Sequence, residues 1–115
     1  MQVFDQTGTF QRQFILPRRR SGAAKSRAVP RPYGLCVIGN TELIAVCDRD
    51  AHRVALVTYD GADAGDLLTS SDGLQYPCDV AVSVADDTGK LVAVVESSSG
   101  LLGNEPHHAV KLFAI

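Results

Sequence analysis

The sequence has few cysteines, no CxxC spacing and no long apolar run, and each absence excludes a class of protein. The three cysteines of this 115-residue chain are an odd number without a close pair, which argues against a disulfide framework and a zinc site. No apolar run approaches the roughly 20 residues that span a bilayer. The N-terminus lacks a basic stretch followed by an apolar one, so no signal peptide is predicted. These features predict reduced thiols, no membrane partner and a cytoplasmic location.

Net charge is small, with 11 basic and 13 acidic side chains, but the two signs are separated along the chain. Residues 6–41 contain seven basic side chains and no acid, whereas residues 42–115 contain 12 acids and four basic side chains. Such a split indicates a local anion-binding face rather than a general nucleic-acid binder. The 45% hydrophobic content excludes a disordered tail and fits one globular domain or part of one.

Short β-prone runs alternate with turn residues along most of the chain, and no stretch has a convincing helical period. This pattern predicts an antiparallel all-β fold, which could be a sandwich, a barrel or propeller blades. Between the runs, the Arg-, Ser- and Ala-rich segment from Pro17 to Pro32 is predicted to be an exposed loop. The predicted strands are residues 34–38, 43–47, 54–59, 67–69, 80–84, 91–95 and 110–113.

An internal repeat favours the propeller among these folds. Residues 31–37 align with residues 76–82, so that Pro32 matches Pro77. Residues 44–48 align with residues 92–96, which places Asp48 opposite Glu96, and residues 52–54 align with residues 108–110. A period of about 45 residues with four strands is the size of one propeller blade.

The repeated residues resemble the NHL repeat, a family of β-propeller blades. The copy that carries the resemblance has Pro32 and Gly34 at the start of its first strand and an aromatic-Asp-Gly motif at the end of its third strand, at residues 59–61. A second motif of this kind lies near the start of the chain, at residues 3–10. The second full copy departs further from the pattern, since Glu96 stands in place of the aspartate and Ala109 in place of the arginine. The motif residues are Asp48, His52, Arg53, Val54 and Tyr59, with Asp5 and Gly8 in the opening copy.

This resemblance implies a partial propeller of about two and a half antiparallel blades. Residues 1–16 are expected to end one blade, and residues 17–31 to form a basic crossover loop. Residues 32–75 are expected to form a complete blade, and residues 76–115 a final, degenerate one. A closed propeller needs at least four blades, so further blades or self-association are expected to cover the open edges.

The expected binding surface lies at one end of the blades. In a meander, the crossover between blades and the turn between the second and third strands lie at the same end. In relatives of the tripartite-motif class this face of the propeller binds single-stranded RNA or protein, and both are expected partners here. A solvated basic loop without a ligand is the alternative. The predicted binding residues are Arg18, Arg19, Arg20, Lys25, Arg27, Arg31, Arg49 and Arg53.

No catalytic residue, metal site or cofactor is predicted. His52 is interpreted as a structural turn residue, and His107 and His108 as loop residues, because adjacent side chains on a strand point to opposite faces. The cysteines are interpreted as small buried hydrophobic residues. Two other functions remain open: the substrate-recruiting region of a ubiquitin ligase, and a fragment of a propeller enzyme such as a lyase or hydrolase.

Overall fold

The computed structural model describes residues 2–4, 7–13, 16, 32–39, 41–84, 90–98 and 106–115. This part of the chain contains nine β-strands, one short 3-10 helix at Ser70–Asp72 and no α-helix, so the all-β prediction is confirmed. None of its helices has the length and apolar character needed to cross a membrane. The strands are β1 (Gln2–Phe4), β2 (Phe10–Gln13), β3 (Pro32–Ile38), β4 (Leu43–Asp48), β5 (Arg53–Thr58), β6 (Asp63–Leu68), β7 (Pro77–Val84), β8 (Lys90–Ser98) and β9 (His107–Ala114).

The strands form three antiparallel sheets in which neighbours along the chain are neighbours in space. β1 and β2 form a two-stranded sheet, β3 to β6 a four-stranded sheet, and β7 to β9 a three-stranded sheet. Short connections favour this meander, because antiparallel neighbours can be joined by tight turns. Residues 17–31, which are predicted to form the basic crossover loop, lie outside the described residues.

The central strands β4 and β5 of the four-stranded sheet are buried on both faces, which explains their small and branched side chains. One face packs against the three-stranded sheet, where Ala45, Cys47 and Val54 meet Val92 and Val94. A second, separate cluster covers the opposite face, with Leu16 lying on the following side chains: Ile44, Val46, Ala55 and Val57. Burial of apolar surface against two neighbours is what favours stacked sheets over an isolated meander.

The two larger sheets approach each other most closely at their first strands. β3 makes the most extensive backbone contact with β7, and β4 and β5 make progressively less. A Cβ atom at Gly34 would lie 2.6 Å from the Cα of Asp79 and 2.7 Å from the carbonyl oxygen of Cys78. Only glycine fits this position, since any side chain would force the strands apart. The sheets therefore converge at β3 and β7 and diverge away from them.

Strand pairing places the two sequence repeats in equivalent positions. Pro32 is paired with Asp48 at the start of β3, and Pro77 is paired with Glu96 at the start of β7. A bulge follows the proline in both strands. Further along the sheets, Asp48 faces Arg53 and Glu96 faces Ala109, as the repeat alignment requires. The repeat is thus a property of the three-dimensional structure.

All seven predicted strands differ by at least one residue from their bounds in the structure, and two of the differences have an identifiable cause. The weak strand expected at residues 67–69 is β6, which begins at Asp63 and pairs with only one neighbour, β5. The sequence analysis recognised only the end of this strand, because an edge strand with solvent on one side need not be apolar and its polar residues give no strand pattern. The prediction that His107 and His108 lie in a loop is wrong, since both are in β9. Pairing with the end of β8 at Ser97 and Ser98 extends the ladder through these polar residues.

Candidate functional site

Four segments meet at one end of the two larger sheets. They are the start of β3, the turn between β4 and β5, the connection from β6 to β7, and the end of β8. The turn of residues 49–52 contacts the β6–β7 connection directly, because the Tyr76 N–H donates to Nδ1 of His52 at 3.0 Å. The β4–β5 turn and the connection between the two larger sheets therefore lie at the same end, whereas the predicted crossover loop of residues 17–31 lies outside the described residues. We call this end the turn face.

Arg49 is the centre of the turn face and joins the two sheets. Its Nε and Nη2 donate to the carbonyl oxygen of Ser97 at 3.2 and 3.0 Å, and its Nη1 lies 3.1 Å from Asp50. The guanidinium carbon is 5.6 Å from the ring centre of Tyr33 and 5.1 Å from that of Tyr76. Both distances fall within the range of cation–π attraction. Arg49 thus holds two aromatic rings in one cluster, one from β3 and one from the connection between β6 and β7.

Tyr33 is the most exposed member of this cluster. It is 54% exposed, at the start of β3, whereas Tyr76 is half-buried. The sequence analysis did not bring these two tyrosines together with Arg49. The signal that could have done so is the repeat itself, since each tyrosine is adjacent to one of the prolines, Pro32 and Pro77, that begin β3 and β7.

His52 is a turn residue, as predicted, and its conformation is unusual. It has a φ of 53°, in the left-handed region that histidine adopts more readily than most side chains. Its ring lies edge-on to Tyr76, with 4.4 Å between the centroids. Tyr76 also has a positive φ, of 46°. Two residues in this region cost free energy that the surrounding hydrogen bonds and ring contacts must offset.

Arg53 does not belong to an exposed basic face, contrary to the sequence prediction. Its Nε donates to Asp48 at 3.0 Å and its Nη1 to Asp66 at 3.1 Å. Its side chain is only 7% exposed and that of Asp48 4%. Because Arg53 opens β5 directly opposite the end of β4, the guanidinium is drawn inward to the buried carboxylate. Its role is to neutralise two acids and to hold three strands together.

Glu96 is the equivalent buried acid in the three-stranded sheet, and its side-chain partners come from positions that the repeat does not predict. Ala109 faces Glu96 in the strand pairing, so no arginine is available there. Instead, His107 and Lys111, two residues to either side, donate to Oε1 at 2.8 and 2.9 Å. The Gln75 N–H donates to Oε2 at 2.6 Å. Burial raises the pKa of Glu96, but these hydrogen bonds outweigh it and the net shift is downward.

The remaining motif residues lie away from the turn face. Val54 is fully buried in the core between the sheets, and Tyr59 is at the opposite end, where its hydroxyl donates to the carbonyl oxygen of Thr41 at 3.1 Å. Gly8 has a φ of 84°, which its turn requires of a glycine. The other predicted residues lie outside the described part of the chain: Asp5, Arg18, Arg19, Arg20, Lys25, Arg27 and Arg31.

The cysteines are near the core rather than arranged for chemistry. Cys47 is fully buried, and burial raises its pKa to about 12. Cys36 and Cys78 are half-buried, and the Sγ of Cys78 donates weakly to the carbonyl oxygens of Tyr76 and Ser97. All three cysteines carry free thiols. Within the described residues, no group of three or more His, Cys, Asp or Glu side chains could hold a metal ion.

Comparison with family models, curated proteins and solved structures finds no match to this chain. The resemblance to the NHL repeat therefore rests on the residues of the sequence alone. The structure adds the sheet arrangement and the composition of the turn face, from which a function can be argued.

Proposed function

We propose that this chain is a non-enzymatic, NHL-like propeller segment that binds single-stranded RNA at its turn face. The observation that carries the proposal is the cluster of Tyr33, Arg49 and Tyr76, in which an exposed ring is held in place by a guanidinium. Aromatic rings of this kind stack on unpaired bases, and stacking accepts every base.

The arrangement of the sheets supports the propeller part of this proposal. Meanders of two, four and three strands follow one another along the chain. The first strands of the two larger sheets are their closest points, as expected of blades that radiate from an axis. The proline, acid and bulge recur at equivalent positions in both sheets. Each of these features is expected of consecutive blades.

The charge distribution supports the RNA part. Arg18, Arg19, Arg20, Lys25, Arg27 and Arg31 all precede Pro32, the first residue of β3, and Pro32 is paired with Asp48 beside the turn face. The basic segment thus joins the described chain next to Tyr33. A surface that combines arginines with one exposed aromatic ring can neutralise phosphates and stack a base.

The buried acids support a structural rather than a catalytic role. Asp48 and Glu96 are both enclosed, and each is paired with a cation of its own sheet, Asp48 with Arg53 and Glu96 with Lys111. The interactions that they make connect neighbouring strands, and their side chains are almost fully buried. A general acid or base needs access to a substrate.

The test is binding of a fluorescein-labelled oligouridine of about 12 nucleotides, followed by fluorescence anisotropy. We expect binding at about 50 mM salt that weakens markedly at about 200 mM, because phosphate neutralisation releases counterions. Tyr33→Ala should weaken binding by about 5- to 160-fold, from the loss of one stacked base at roughly 1–3 kcal/mol.

Tyr59→Ala is the matched control, because Tyr59 is also partly exposed but lies at the opposite end of the sheet. Its removal should leave RNA affinity unchanged. Replacing Arg18, Arg19 and Arg20 by serine should reduce the dependence of affinity on salt. No binding at low salt, or equal losses for both tyrosine variants, would overturn the RNA proposal and leave a protein ligand as the remaining candidate for this face.

A further inference from the structure

His52 contacts the neighbouring element of the turn face through a hydrogen bond that only its neutral ring can accept. The Tyr76 N–H donates to Nδ1 of His52 at 3.0 Å. Because a backbone N–H is a donor, Nδ1 must present a lone pair and the ring proton must be on Nε2. A protonated histidine carries an N–H on both ring nitrogens and has no acceptor. One charge state of His52 therefore makes this contact and the other cannot.

This hydrogen bond joins two residues that both have strained backbones. The φ angle is 53° at His52 and 46° at Tyr76. Conformations of this kind persist only where the surrounding contacts enforce them. Here the contacts are the hydrogen bond itself, the edge-on packing of the two rings at 4.4 Å, and the bond from the His52 N–H to the carbonyl oxygen of Arg49 at 3.2 Å. Loss of the hydrogen bond therefore removes a direct link between the β4–β5 turn and the β6–β7 connection.

A positive charge on His52 also acts against the aromatic cluster. The guanidinium carbon of Arg49 lies 5.1 Å from the centre of the Tyr76 ring, and the centre of the His52 ring lies 4.4 Å from it. Asp50, the acid of the same turn, is bonded to Arg49 at 3.1 Å. Protonation of His52 thus places a second cation beside a ring that already faces one, in addition to removing the acceptor.

The other charged groups at this end of the sheets are engaged with one another. They form the ion pairs of Arg53 with Asp48 and Asp66, and of Glu96 with His107 and Lys111. Asp72 caps the short helix of the β6–β7 connection, and the Cys78 thiol of β7 donates to the carbonyl oxygen of Tyr76 at 3.5 Å. His107 and His108 are the further histidines at this end, and histidine is the side chain that ordinarily changes charge between about pH 5 and 8. A test must therefore separate His52 from both.

We propose that His52 is a pH-sensitive positioning residue that assembles the turn face when its ring is neutral and releases it when protonated. Without its acceptor, Tyr76 leaves the Arg49 guanidinium, and the cluster with Tyr33 loses one of its two rings. The change is local, because the Tyr76 carbonyl oxygen accepts from the Ser97 N–H at 3.1 Å and keeps this bond. The structural step does not depend on RNA, whereas its effect on RNA affinity rests on the proposed function.

The first measurement follows the Tyr76 amide by proton–nitrogen correlation NMR of the chain from about pH 7.5 to about pH 5.5. Glu96 keeps its charge over this range, since its pKa is below 4.5. The Tyr76 resonance should shift in the wild type and stay constant in His52→Asn, because asparagine adopts the left-handed region and offers an amide oxygen that accepts at every pH. His108→Asn is the matched control, since it removes an exposed histidine at the same end and should leave the Tyr76 shift as in the wild type.

The second measurement is the affinity for the labelled oligouridine over the same pH range. Acidification adds positive charge to the chain, which by itself strengthens binding to RNA phosphates. Wild-type affinity should instead fall by about 2- to 12-fold, the range expected from the loss of one hydrogen bond, and His52→Asn should show no fall. His52→Gly permits the positive φ but offers no acceptor, so it should already bind about 2- to 12-fold more weakly than the wild type at about pH 7.5 and show no further fall.

The two measurements separate this proposal from the one on RNA binding. A Tyr76 amide that does not change with pH in the wild type, or that shifts equally in His52→Asn, overturns the role of His52 even if RNA binds. A wild-type affinity that rises on acidification overturns its control of the site. A Tyr76 amide that shifts in the wild type and not in His52→Asn, in a chain that binds no oligouridine at any pH tested, supports the role of His52 and overturns the RNA proposal.

Discussion

The ion pair of Arg53 with Asp48 gives the sharpest prediction about stability. Replacing Arg53 by methionine preserves most of the side-chain volume but removes the guanidinium from two carboxylates. The Asp66 side chain is 21% exposed and stays in contact with water when the guanidinium is removed, whereas the Asp48 side chain is only 4% exposed. Removing one partner of a buried pair costs about 3–5 kcal/mol, and we assign most of that loss to Asp48.

This loss is large compared with the total stability of a small domain, which is about 5–15 kcal/mol. Urea unfolding followed by far-ultraviolet circular dichroism should show Arg53→Met destabilised by at least about 3 kcal/mol. The double variant Arg53→Met with Asp48→Leu should recover most of this free energy, because an apolar pair leaves no buried charge behind.

Two results would refute this reasoning. A loss below about 1 kcal/mol for Arg53→Met would show that the pair behaves like an exposed one. A double variant no more stable than the single one would show that the buried carboxylate is not the source of the loss. If Arg53→Met is unfolded without denaturant, the comparison with the double variant still decides between these explanations.

Three further predictions concern sheet packing, pH and thiol chemistry. Gly34→Ala should destabilise the chain by about 1–3 kcal/mol in urea, because its Cβ would lie 2.6 Å from the Cα of Asp79; an unchanged midpoint would contradict the close approach. Hydrogen bonds hold the pKa of Glu96 in the folded state below 4.5 despite burial. The ionised carboxylate therefore stabilises the fold fully above about pH 4.5, and this stabilisation is lost as the pH falls through the pKa of the folded state. The stability difference between wild type and Glu96→Gln should therefore shrink between pH 7 and about pH 3, and a constant difference in urea midpoints would refute this. Iodoacetamide at about pH 8 should alkylate Cys78 at least about tenfold faster than Cys47, whose pKa is about 12; peptide mapping that finds equal rates would show that the core opens readily.

Much of the architecture could be predicted from the sequence because strand formation depends on local patterns. The alternation in β7 to β9, the turns between the runs and the matching prolines and acids of the repeats all come from residues near one another in the chain. Polar ends of strands could not be predicted in this way. His107 and Asp63 lie in strands because a neighbouring strand supplies the hydrogen bonds, and that neighbour is visible only in three dimensions.

The sequence by itself determined the strands, their order and the equivalence of the repeats, since these follow from hydrophobic period and turn chemistry. Tertiary structure alone decided which charges face water. Arg49 and Arg53 are four residues apart, yet one is held between two tyrosines and the other is buried between two aspartates. The physical reason is that a side chain's burial and partners depend on which strands and turns meet around it, and for Arg49 these come from both sheets.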